Sequence, residues 1–91
     1  METYEQFKAA AMAEGYDEVL NREWEANHET PVHEHPFEAF GRIVKGEFWL
    51  TIDGKTTHLH QGDTFRVNRH TPHQEKYGPD GTSLWIARMN H

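Results

Sequence analysis

The sequence predicts an all-β sandwich or barrel of 91 residues in one domain, preceded by one short amphipathic helix. Three observations predict it. Short runs rich in β-branched and aromatic residues recur over about residues 18 to 88. Turn residues separate them at close intervals: Gly46, Asp53-Gly54, Gly62-Asp63, Thr71-Pro72 and the run Gly78-Pro79-Asp80-Gly81. The apolar period changes from helical before Gly15 to alternating after it.

Taken in order, Thr3 followed by Gln6 reads as a capping box, and Tyr4, Phe7 and Ala11 then share one helical face until Gly15 ends the run. Residues 3 to 14 are expected to form a helix whose narrow, alanine-weighted stripe covers a sheet or a second subunit. "DEVLNREW" reads as a strand, and "AFGRIV" as another. "EFWLTIDGKTTHLH" alternates Phe48, Leu50 and Ile52 with Glu47, Trp49 and Thr51. Its central Asp53-Gly54 is the strongest short hairpin signal, because both residues tolerate positive φ. "TFRV", "HQEKY" and "SLWIARM" complete the set. No repeat, low-complexity run or linker divides residues 1–91, and one core serves the whole chain.

Composition removes several classes. Nine Lys and Arg stand against fifteen Asp and Glu, for a net charge of −6, with no basic stripe, so nucleic acid is not an expected partner. With no cysteine, disulfides, thiolate metal sites and thiol nucleophiles are excluded. The N-terminal stretch carries no apolar signal region and no long apolar run follows, so the membrane is not expected and the cytoplasm is. Any metal must use His, Asp or Glu.

Eight histidines make an H-x-H pair probable by chance, and there are two: His33/His35 and His58/His60. On an extended chain, His33 and His35 point to the same side and can converge on one ion if that side faces a cavity. A usable site wants a third ligand. His73 is the candidate, at the start of a strand after Pro72, with Glu75 and Tyr77 at the same parity. His28, His58, His60, His70 and His91 read as ordinary exposed histidines, His60 being a weaker alternative on the barrel wall. Arg42, Lys45 and Arg66 are expected outside the barrel, and Trp24, Trp49 and Trp85 in the core or an interface.

The joint spacing of these features resembles the cupins, small double-stranded β-helix (jelly-roll) barrels. "HEHPFEAFGRIVKG" supplies the two histidines and closing glycine of the first cupin motif, and "GDTFRVNRHTPHQEKY" the Gly-Asp and histidine of the second. The resemblance covers about residues 18 to 88. Departures fall at Asn27, His70, Asn68 and Tyr77, where the pattern has glycine, glycine, proline and asparagine. These are turn and rim positions, and the fold is expected to survive them. The acidic ligand, counted back from Gly46, falls on Ala39; Glu38 precedes it and faces the other way unless the backbone bulges near Phe37.

The resemblance implies a metal on His33, His35 and His73, with Glu38 joining through such a bulge and Glu75 or Tyr77 as fourth ligand or base. Nitrogen ligands narrow the ion to a divalent transition metal, Fe, Ni, Mn or Zn. It further implies either a metalloenzyme of oxygenase or isomerase/lyase type, acting on a small carbonyl- or carboxylate-bearing molecule, or a non-catalytic small-molecule-binding or sensor barrel. Small size and uncovered strand edges point to a homodimer.

Overall fold

The computed structural model describes residues 2–91. One helix, α1 (Tyr4–Ala13), precedes seven strands: β1 (Glu18–Trp24), β2 (Glu38–Lys45), β3 (Glu47–Ile52), β4 (Lys55–His60), β5 (Thr64–Val67), β6 (His73–Tyr77) and β7 (Thr82–Met89). They form a four-stranded sheet in the order β1-β7-β2-β5 and a three-stranded sheet in the order β4-β3-β6, with every named pair antiparallel. The expected jelly roll is present. Its two sheets are not joined into one closed hydrogen-bonded barrel; they face each other and enclose the core.

Alternation dictates what lies between them. Ile43 from β2, Phe48 and Leu50 from β3, Leu59 from β4, Val67 from β5, Tyr77 from β6 and Leu84 from β7 form the central cluster. A second cluster lies on the outer side of the larger sheet, where α1 packs. Phe7 and Ala11 meet Tyr16, Trp85 and Ala87, and the Phe7 ring stacks on Phe40 at 5.9 Å. The helix is thus a cover. It begins at the Thr3–Gln6 capping box, with Gln6 N–H donating to Thr3 Oγ1 and Thr3 N–H to Gln6 Oε1, so two otherwise orphaned donors are satisfied. No helix among the described residues is long and apolar enough to cross a membrane.

The β3–β4 hairpin turns at Asp53 and Gly54 with φ of 52° and 76°, as the sequence predicts. The H-x-H segment lies between strands: residues 31–37 are a connector tied to β6 by an isolated bridge, because Pro31 and Pro36 flank it and deprive it of ladder donors. The bulge falls between Ile43 and Lys45, not near Phe37. Asn27 and His70, which replace the glycines of the cupin pattern, keep left-handed φ of 59° and 60°.

Candidate metal centre

His33 and His73 are held together by backbone before any side chain is considered. They form an antiparallel bridge in which each N–H donates to the other's carbonyl at 2.9 Å. His35 is fixed from the other side, its carbonyl accepting from His70 N–H at 2.7 Å. The left-handed turn at His70 therefore positions a candidate ligand.

The three imidazoles converge, with centroids 4.3 Å apart for His33–His73, 4.8 Å for His33–His35 and 5.1 Å for His35–His73. One nitrogen from each lies within 4.8 Å of the other two. Their tautomers follow from their neighbours. His33 Nδ1 is 2.8 Å from the Pro31 carbonyl and His73 Nδ1 is 2.8 Å from that of Thr71. A carbonyl only accepts, so both Nδ1 atoms carry a proton, and in the neutral ring Nε2 is the nitrogen that keeps a lone pair. This is the orientation that metal-binding histidines take from an outer partner. Burial first, and then repulsion from Arg88 and from His33 and His73 whenever those rings are protonated, push His35 below its ordinary value of 6.5, favouring the neutral form a metal requires. The Phe37 ring stacks on it at 4.6 Å. The donor set fits a first-row transition ion.

Glu75 and Tyr77 stand beside the histidines on β6, as their parity predicts. Glu75 Oε1 is 3.6 Å from His33 Nε2, and its Oε2 accepts from the Tyr77 hydroxyl at 3.0 Å. Thr30 Oγ1 accepts from Glu75 N–H. Burial, reinforced by the Glu75 carboxylate, raises the Tyr77 phenol far above its usual value and keeps it protonated.

Glu38 is not brought to this cluster. Ala39 faces the cavity, and Glu38 points to the other side of the sheet, toward Tyr16. With the bulge five residues further on, nothing reverses its face. Carboxylate near the centre comes from Glu75 alone among the described residues lining the cavity. His60 likewise points outward, opposite to buried Leu59. His28 departs from the exposed reading: it is half-buried and stacks on Trp24 at 5.0 Å.

The cavity holds about 160 Å³, room for a molecule of a few heavy atoms. Leu84, Ile86, Phe65 and Val67 give it apolar walls, and two arginines the sequence reading passed over, Arg22 and Arg88, line it as well. Arg22 pairs with no carboxylate among the described residues and lies over the Trp24 ring at 4.9 Å. Arg88 lies 3.5 Å from Glu18 and 4.7 Å over Phe37, and its Nε is buried without a hydrogen-bond partner. The signal was present as parity: Arg88 follows core Leu84 and Ile86 at intervals of two, and Arg22 lies between Leu20 and Trp24.

Comparison with known proteins agrees with this architecture. Residues 22–82 match the Cupin domain family. The chain belongs to the cupins. An RmlC-like cupin from Shewanella frigidimarina is 26% identical, covering 85% of this chain and 68% of its own, with a TM-score of 0.74. A cupin protein from Bacteroides fragilis is also 26% identical, at a TM-score of 0.66, with coverage of 78% of this chain and 63% of its own, so the chain spans under two thirds of that relative. Salicylate 1,2-dioxygenase from Pseudoaminobacter salicylatoxidans shares the fold at 18% identity and a TM-score of 0.72, over 78% of this chain and 22% of its own. Among curated proteins none matches the sequence.

Proposed function

We propose that this cupin holds a divalent transition metal, Fe, Ni, Mn or Zn, on His33, His35 and His73 and acts there on a small carboxylate-bearing molecule. The observation that carries the reading is the convergence of three imidazoles, two of them with Nδ1 committed to a backbone carbonyl, in the lining of a cavity that Arg22 and Arg88 also line. A bound ion would polarise a carbonyl or a water of the ligand complex. The protein's own groups do the rest. The guanidiniums of Arg22 and Arg88 match a carboxylate and orient it. Glu75 Oε1 is placed to accept a proton, while Tyr77 keeps its own and holds Oε2 still. The apolar side chains of Leu84, Ile86, Phe65 and Val67 give the bound molecule a partly dry wall.

This arrangement favours isomerase or lyase chemistry over oxygenation, because a carboxylate base stands beside the imidazoles and is held by a protonated tyrosine. The test is a panel of small oxo- and hydroxy-acids, with their amides as controls, offered anaerobically to metal-loaded protein. Acids are expected to raise the melting temperature and amides not, with the response lost in Arg22→Ala/Arg88→Ala. Turnover of one acid without dioxygen, abolished in Glu75→Gln, would support the enzyme. Turnover only with dioxygen would replace it with an oxygenase, and binding of acids without turnover by a sensor barrel. A panel without effect on melting would reject the carboxylate ligand. The homodimer belongs to the same proposal. Large exposed hydrophobics among the described residues are only Met12 and Val32, so its interface would use strand edges rather than a broad apolar patch.

A further inference from the structure

The second H-x-H pair lies on the opposite side of the smaller sheet from the cavity. In the β3–β4 ladder Glu47 pairs with His60 and Trp49 with His58. Alternation sends these four side chains outward while Phe48, Leu50 and Leu59 fill the core. One carboxylate oxygen faces both rings: Glu47 Oε2 is 3.0 Å from His58 Nε2 and 3.9 Å from His60 Nε2, and the two imidazole centroids are 4.1 Å apart. In a tetrahedral zinc site with bonds of about 2.0–2.1 Å, neighbouring ligand atoms stand about 3.3 Å apart. The two Glu47 separations bracket that value, the shorter being a hydrogen bond that a bound ion would replace, and all three donor atoms lie within 4.8 Å of one another.

The rings are also held in place from behind. The Trp49 indole lies flat against His58, 4.4 Å away at an interplanar angle of 6°. Asp63 Oδ2 accepts from His60 N–H at 2.8 Å and sits 3.6 Å from His60 Nδ1, leaving Nε2 turned toward Glu47. At 3.6 Å the Asp63 carboxylate is not hydrogen-bonded to that nitrogen; it holds the His60 backbone and places a negative charge on the far side of the ring. A simple ion pair between one exposed histidine and one glutamate would need none of this arrangement.

We infer that the outer face of this hairpin is a second divalent metal site, with His58, His60 and Glu47 as ligands and water completing the shell. Two imidazoles and one carboxylate suit zinc and its first-row neighbours. The site is independent of the cavity, since its ligands are on the reverse face of the sheet.

The experiment titrates Zn(II) into metal-stripped, untagged protein against a chromophoric chelator, comparing wild type with His58→Gln/His60→Gln. The variant is expected to bind one equivalent fewer than wild type, whatever the cavity histidines bind, and to melt without metal at nearly the wild-type temperature. Cu(II) is expected to quench Trp49 in wild type, and that quenching step should vanish in the variant. Equal Zn(II) stoichiometry in the two proteins would overturn the site and leave an exposed ion pair. Should the variant melt much lower, Glu47→Gln supplies the same comparison with both histidines kept.

Discussion

The proton on His73 Nδ1, given to the Thr71 carbonyl, decides what the ring can do, because it commits Nε2 to the cavity. The three histidines were legible in the sequence because their spacing to Gly46 and to Gly62-Asp63 is a joint pattern that chance does not supply. Glu38 shows where such reading fails. A strand reverses its faces with each residue, so an acid displaced by one position is lost to the site unless a bulge restores it, and bulge positions leave no mark in the sequence. Glu38→Ala is therefore expected to change metal affinity less than about twofold in a competition titration, consistent with a surface change away from the ligands. Arg88 escaped because a charged residue at a strand end reads as solvated until its face is known. A tyrosine gives the pH prediction. Burial chiefly, opposed by Arg66 and aided by Glu38, raises Tyr16 above its ordinary value of 10.0. A raised folded value means the stabilisation is complete below about pH 10 and declines as pH rises beyond it. Tyr16→Phe should flatten the fall of melting temperature above pH 10; an unchanged alkaline slope would remove Tyr16 as a cause.

Elements were read well where local chemistry sets them and poorly where the tertiary context does. The capping box and the Asp53-Gly54 turn are local, and both form. The H-x-H connector reads as extended chain, and prolines on both sides leave it only the His33–His73 bridge. Gly46 marks the turn into β3, with φ at +81° and the Gly81 carbonyl against the place a Cβ would occupy. Gly46→Ala is expected to cost more than about 2 kcal/mol in urea unfolding, from strain and overpacking together. His70 gives the opposite sign. A left-handed φ costs a non-glycine residue about 1–2 kcal/mol, and a glycine there would give back roughly half through unfolded-chain entropy. His70→Gly should then raise stability by up to about 1 kcal/mol and leave the His35 carbonyl contact intact. A fall in stability would show that the His70 side chain contributes more than its turn costs.

At the scale of the molecule, ligands scattered between residues 33 and 73 meet only when the connector of residues 31–37 is bridged to β6, so metal binding and folding are linked. At a free metal concentration about 100 times Kd the folded state gains roughly 2.7 kcal/mol. For a domain of this size that is a rise in melting temperature on the order of 10–20 °C. Architecture was legible because alternation, turns and length together admit few arrangements. The sequence left the choice between sandwich and closed barrel open, since it depends on the crossing segment of residues 25–37 making only isolated bridges. The most direct test of the central claim is elemental analysis of untagged protein, purified without metal resin, in the His58→Gln/His60→Gln background so that the outer face holds nothing. A near-stoichiometric transition metal is predicted there, lost when His33→Ala/His73→Ala is added. Equal metal content with and without those two histidines, or an empty protein whose melting ignores added Fe, Ni, Mn and Zn, would contradict the metal centre.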